Sequence, residues 1–198
     1  MTHRVLFVCT GNTCRSPLAE GLLRKLAEDA GMRIEVKSAG VSAATGSPIS
    51  AHSAAILRKK GFNEPILSKS LSAELAGWAD LILTMTVGHK RAVIQRFPDA
   101  VEKTFALKEY TEDDADTLAA VRAHGELFAE LQMKYALGQA ISSDDRKTLR
   151  ELEDRLPYQD IADPFGGPLD EYEETAAEIE ASLRKLLARL REANNGEA

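Results

Sequence analysis

Cysteine is scarce: Cys9 and Cys14 are the only two in 198 residues. Two thiols cannot build the disulfide framework of a small secreted domain, and free thiols in a cytosolic chain are more often catalytic or inert than bridged. Long hydrophobic runs are missing as well. No apolar stretch approaches the ~20 residues that span a bilayer. Near the N-terminus only Val5 to Val8 are consecutively apolar, whereas a signal-peptide core needs roughly 7–15 such residues. A soluble, cytoplasmic protein with no membrane partner is therefore expected. A basic excess is also absent: 25 Lys and Arg stand against 31 Asp and Glu, a net charge of −6. That balance argues against a general nucleic-acid binder. Internal repeats and low-complexity segments are lacking too. What is present is a composition 44% hydrophobic and 28% charged, which supports a real core and excludes global disorder. At roughly 100–200 residues per domain, 1–198 is expected to be one domain with room for an insertion.

Val5-Leu6-Phe7-Val8 reads as a strand buried on both faces. A polar loop follows, Cys9-Thr10-Gly11-Asn12-Thr13-Cys14-Arg15, and then Ser16-Pro17, a good N-cap followed by a proline suited to the first helical position. Leu18, Leu22, Leu23 and Leu26 recur at helical spacing up to Gly31. The alternation repeats. Strands are expected at Ile34–Val36, Leu81–Leu83 and Thr104–Leu107. Helices are expected after the lead Ser47-Pro48-Ile49-Ser50 through His52, Ala55, Ile56 and Leu57 to Gly61, over Ser72 to Ala76, Val87 to Phe97 and about Asp170 to Arg191. Strands alternating with helices imply an α/β fold, a parallel sheet with helices on both faces. Residues 111–157 break the rhythm with two helical patterns and no strand. The first pattern carries Leu118, Val121, Phe128, Leu131 and Tyr135, and the second spans Asp145 to Leu156. We read this stretch as an inserted helical hairpin.

The chemistry concentrates in the loop after the first strand. Cys9 and Arg15 lie six positions apart, between a buried strand and a helix start. A loop in that position turns backbone N–H groups and the positive helix end toward one spot, which suits phosphate. Arg15 adds a planar fork of donors that matches two phosphate oxygens. A field of that kind favours a thiolate, and a thiolate at the bottom of a phosphate cradle is a nucleophile aimed at phosphorus. The leaving group then needs a proton donor. Asp163-Pro164 is the best candidate, because the proline keeps Asp163 out of helical geometry and in a presentable turn.

The stretch from Val8 to Glu20, VCTGNTCRSPLAE, resembles the signature of the low-molecular-weight protein tyrosine phosphatase family. Ser38-Ala39-Gly40, the block Ala79 to Met85, and Asp163 to Gly167 support the likeness, which covers about residues 4–110 and 158–192. The resemblance implies a flavodoxin-like four-stranded parallel sheet, no metal or other cofactor, and a cysteinyl-phosphate intermediate. It makes Cys9 the nucleophile, Arg15 the phosphate clamp, and Asp163 the general acid and then the base for water. It implies that Thr10, Gly11, Asn12, Thr13, Cys14 and Ser16 form the phosphate loop, with Ser16 bonded to the Cys9 sulfur. Asn12, Ser38 and His52 are expected to hold the loop in shape, and Phe165 to support the site beside Asp163. The resemblance also implies that Cys14 can bridge to Cys9 on oxidation.

The expected substrate is a phosphorylated protein or peptide, with inorganic phosphate as product. Thr13, the blocks Met85 to Lys90 and Leu107 to Tyr110, and Gly166-Gly167 after Phe165 resemble the bacterial arginine-directed branch. Phosphotyrosine is the alternative. A thioredoxin-coupled arsenate reductase would need relay cysteines outside the loop, and this chain has none. An inactive phosphoprotein-binding module would require loss of Cys9, Arg15 or Asp163, and all three are present.

Overall fold

The computed structural model describes residues 3–157 and 159–196. The apolar run near the N-terminus forms β1 (His3–Cys9), fully buried from Val5 through Val8. It is followed by α1 (Arg15–Asp29), β2 (Ile34–Gly40), α2 (Ala51–Lys59), α3 (Ala73–Trp78), β3 (Leu81–Thr84) and α4 (Val87–Arg96). A 3-10 turn (Pro98–Lys103), β4 (Thr104–Ala106) and α5 (Leu107–Thr111) come next. After α6 (Ala115–Ala136) and α7 (Ser143–Glu153), α8 (Leu169–Gly196) closes the chain. The four strands form one all-parallel sheet in the order β2-β1-β3-β4. This is the α/β architecture that the alternating pattern predicts.

Alternate residues of β1 feed two cores. Val5, Phe7 and Cys9 pack with Leu18 and Leu22 of α1 and with Ile179, Leu183 and Leu186 of α8. Leu6 and Val8 pack with Ala76 of α3, Val93 of α4 and Ala100. The sheet is thus covered on both faces, as a parallel sheet requires. Each fully buried Leu or Ile contributes roughly 1.5–3 kcal/mol relative to exposure.

Two boundaries depart from expectation. Helix α1 begins at Arg15, with Cys14 at the N-cap and no side-chain cap, rather than at Ser16-Pro17. The Ser16 hydroxyl is engaged with Cys9 and Asn12 and is not available to cap. Leu107 opens α5 instead of ending β4, because Glu109 reaches back to accept the Ala106 N–H at 2.9 Å.

The chain divides into two compact units, one comprising Met1–Thr111 and Gln159–Ala198, the other Glu112–Tyr158. In the smaller unit Asp114 caps α6 by accepting the Thr117 N–H, and Ser142 with Asp145 forms a capping box on α7. Lys134 ties the two helices, reaching Asp145 at 3.4 Å. The apolar stripe read from the sequence is only partly buried. Leu131 is inside, but Phe128 and Tyr135 are 46% and 79% exposed. A helix with one partner helix buries a narrow seam, and residues outside that seam stay in solvent. Among the described residues no helix is long and apolar enough to cross a membrane.

Candidate active site

In an open parallel sheet, ligands bind beyond the strand C-termini at the point where strand order reverses. Here β1 has β2 on one side and β3 on the other, and the segment leaving β1 is Thr10–Cys14. Its path is set by three devices. Asn12 adopts φ 54°, the left-handed region that asparagine tolerates better than most side chains. The Asn12 amide then donates to Ser16 Oγ at 2.9 Å and to Ser38 Oγ at 2.8 Å, while Asn12 Oδ1 accepts the Lys69 N–H at 2.7 Å. Finally, β2 passes at close range: a Cβ at Gly40 would lie 2.4 Å from the Thr10 carbonyl oxygen and 2.8 Å from the Asn12 nitrogen. The register pairs Cys9 with Gly40, so only a residue without a side chain fits there.

The buried polar chain continues outward. Ser38 Oγ donates to Glu20 Oε2 at 2.6 Å, and burial holds the Glu20 carboxyl above the usual carboxylate range. Ser68 Oγ donates to the Gly11 carbonyl at 2.9 Å, and the Ser50 N–H donates to the Thr13 carbonyl at 2.8 Å. The loop carbonyls are thereby drawn to the outside. Among the described residues the N–H groups of Gly11, Thr13 and Cys14 have no acceptor within the protein. Unpaired donors of this kind make an anion site.

The loop walls a cavity of about 270 Å³ lined by Cys9, Thr10, Gly11, Thr13, Cys14, Arg15, Asp163 and Phe165. A larger groove of about 880 Å³, bordered by Arg24, Glu28, Phe62 and Pro65, carries no nucleophile. Volume alone therefore does not locate the chemistry. Cys9 Sγ lies 3.0 Å from Ser16 Oγ and accepts the Asn12 N–H at 3.3 Å. Arg15 is 5% exposed and donates from Nη1 to the Ile161 carbonyl at 3.2 Å and from Nη2 to Asp163 Oδ2 at 2.7 Å.

Asp163 is brought here by anchors in its own loop. The Ile161 N–H donates to the Met85 carbonyl at 2.8 Å, and Asp160 Oδ1 accepts the Val87 N–H at 2.7 Å. The Asp163 side chain remains 52% exposed on the cavity side of Arg15. Phe165 stands at the rim, 78% exposed. Both thiols are free, and Cys14 Sγ lies 3.2 Å from Tyr172 Oη. Among the described residues no cluster of three or more His, Cys, Asp or Glu side chains could hold a metal ion.

The structure brings Cys9, Arg15, Asp163 and the loop residues Thr10, Gly11, Thr13 and Cys14 together on one cavity and places His52 beside it. His52 does not join the loop network. Its ring packs on Tyr172 at 5.1 Å between centroids, and Asn12 is instead held by Ser16, Ser38 and the Lys69 backbone. Glu20, Ser68, Lys69 and His89 were missed by sequence reasoning. Glu20 was legible only as a helical neighbour of Ser16, one turn on. Lys69 contributes a backbone group, for which no side-chain signal exists.

The family model described as low molecular weight phosphotyrosine protein phosphatase matches residues 4–123. The chain belongs to this family. Its members are cysteine-dependent hydrolases, and this chain is 36% identical to the protein-arginine-phosphatase of Geobacillus stearothermophilus, over 96% of this chain and 97% of that protein. It is 29% identical to the low molecular weight protein-tyrosine-phosphatase of Streptomyces coelicolor strain A3(2), over 100% and 99% of the two chains. The solved structure of the YwlE arginine phosphatase from Geobacillus stearothermophilus superposes with a TM-score of 0.72 at 34% identity, covering 99% of this phosphatase and 97% of that chain.

Proposed function

We propose that this phosphatase hydrolyses phosphorylated protein side chains through a cysteinyl-phosphate, with phosphoarginine as the preferred substrate. The observation that carries the reading is the meeting of Cys9, Arg15 and Asp163 on one cavity of about 270 Å³, lined also by Gly11, Thr13 and Cys14, whose N–H groups have no acceptor among the described residues. The Cys9 thiolate attacks phosphorus, an S–P bond forms, and the bond from phosphorus to the substrate nitrogen or oxygen breaks. Asp163 gives its proton to that leaving atom. Water then attacks the cysteinyl phosphate, Asp163 takes the water proton, and inorganic phosphate leaves with the S–P electrons returned to sulfur. Arg15 and the loop N–H groups hold the phosphoryl oxygens throughout, and Ser16 and Asn12 donate to the sulfur when it departs.

Arginine preference is supported by the similarity to the Geobacillus protein-arginine-phosphatase and by Thr13 on the cavity lining. A guanidino group brings several N–H donors to the rim, and a threonine hydroxyl can accept one. The similarity to the Streptomyces tyrosine phosphatase favours phosphotyrosine as the second reading. Side-by-side kcat/KM on a phosphoarginine and a phosphotyrosine peptide tests the choice. The first is expected to exceed the second, and Thr13→Ile should shift the ratio toward phosphotyrosine by about tenfold or more, the worth of one buried donor left unpaired. A wild-type enzyme preferring phosphotyrosine overturns the arginine assignment.

A further inference from the structure

His89 takes no part in the chemistry above, yet it touches the phosphate loop. It lies in the first turn of α4, just beyond the end of β3, and is 9% exposed. Its Nδ1 lies 2.8 Å from Thr86 Oγ1, and its Nε2 lies 2.8 Å from Thr10 Oγ1. Burial first, and the positive charge of Arg15 second, push the ring down to about 4. The imidazole is therefore neutral at pH 7, with one ring proton.

Hydrogen-bond accounting favours one position for that proton. Thr86 Oγ1 already accepts the His89 backbone N–H at 3.1 Å. Among the described residues its own hydroxyl proton has a single acceptor, His89 Nδ1. Taking Nδ1 as that acceptor places the ring proton on Nε2, from where it is donated to Thr10 Oγ1. With a lone pair of Oγ1 taken up on the His89 side, Thr10 keeps its own hydroxyl proton for a partner elsewhere. Thr10 is exposed and lines the cavity beside Cys9 and Arg15.

We propose that His89 is a positioning residue, holding Thr10 so that the threonine hydroxyl donates to a phosphoryl oxygen bound in the cavity. The inference rests on the reading that this cavity takes a phosphoryl group. It adds a side-chain donor to the loop N–H groups and the Arg15 fork. A threonine without this partner is free to change rotamer, and its hydroxyl proton has no fixed direction.

A double-mutant cycle tests it, reading the affinity for inorganic phosphate by calorimetry and kcat and KM on a chromogenic aryl phosphate. Thr10→Val removes the hydroxyl at constant shape and should weaken phosphate binding about tenfold, the low end for a hydrogen bond to a charged group. His89→Asn keeps a polar group near Thr86 but is too short to reach Thr10, and should weaken binding in the same direction. The double variant should bind no more weakly than Thr10→Val alone, because both changes remove one shared interaction. His89→Gln, whose amide nitrogen falls near Nε2, should return affinity to within about threefold of wild type, below the ~1 kcal/mol of an ordinary hydrogen bond. The loss should appear in KM and in phosphate affinity alike, with kcat little changed.

Losses that multiply in the double variant would overturn the inference, as would Thr10→Val with wild-type phosphate affinity. The second outcome does not depend on whether any His89 variant folds. A wild-type protein that shows this phosphate-binding pattern but turns over no aryl phosphate would uphold the inference and refute the reading under Proposed function.

Discussion

Asp163→Asn separates the two jobs that the geometry gives this carboxylate. One oxygen, Oδ2, sits 2.7 Å from Arg15 Nη2, and the other, Oδ1, accepts the Phe165 N–H at 3.3 Å. An asparagine keeps one oxygen for the Phe165 N–H and turns an NH₂ group toward Arg15, donor against donor. Arg15 is then released from its internal anion. Because Asp163 is 52% exposed, the lost ion pair is worth about 0.2–1 kcal/mol. A phosphate that competes for the same fork should therefore bind more tightly, by at most about fivefold. Turnover should move the other way. Loss of a general acid costs roughly 10²–10⁴-fold, and the cost should grow with the basicity of the leaving group. An aryl phosphate with a very acidic phenol needs little protonation and should suffer least. The assay is kcat on a series of aryl phosphates of rising phenol pKa, together with phosphate inhibition constants for wild type and variant. An equal loss across the series, or a variant that binds phosphate ten times more weakly, would refute the reasoning and make Asp163 a structural partner of Arg15.

Cys9→Ser should abolish turnover while phosphate binding survives, because the cradle is built from loop N–H groups and Arg15 and a serine hydroxyl is a poor nucleophile. Residual activity within about tenfold of wild type would remove Cys9 from the mechanism. Gly40→Ala would place a Cβ 2.4 Å from the Thr10 carbonyl and 2.8 Å from the Asn12 nitrogen, and backbone atoms cannot yield as a flexible side chain does. The expected cost is about 1–3 kcal/mol in urea unfolding, with a loss in kcat/KM on the order of 10²-fold from the displaced loop. Unchanged kinetics would mean that β2 does not shape the cradle.

Much of this protein was legible in one dimension because local rules and long-range demands agree. Val5 to Val8 is apolar without alternation, with β-branched Val5 and Val8 at its ends, and a strand buried on both faces is the arrangement that suits it. The stripe Ile179, Leu183, Leu186, Leu187 and Leu190 has helical spacing, and all but the partly buried Leu187 are buried in the core that also holds Val5 and Phe7 of β1. The six-position spacing of Cys9 and Arg15, flanked by a strand and a helix, carries the cradle in its own sequence. Asp163 was readable only as a companion to that loop, because an Asp-Pro pair by itself marks any turn. The tertiary structure decided what the pattern could not. Ser16 reads locally as a helix cap, and its bond to the Cys9 sulfur is implied only by the family resemblance; in the structure that hydroxyl lies 3.0 Å from Cys9 Sγ and accepts from Asn12. His52 is expected to support the loop directly, whereas its ring packs on Tyr172 and the Lys69 backbone N–H is what bonds Asn12 Oδ1. His89 carries no signal toward Cys9, eighty positions away, and comes within reach of Thr10 only because β3 pairs directly with β1. Periodicity and capping act over a few residues and are written locally. Hydrogen-bond partners between strand ends depend on sheet order and register, which exist only once the chain has folded.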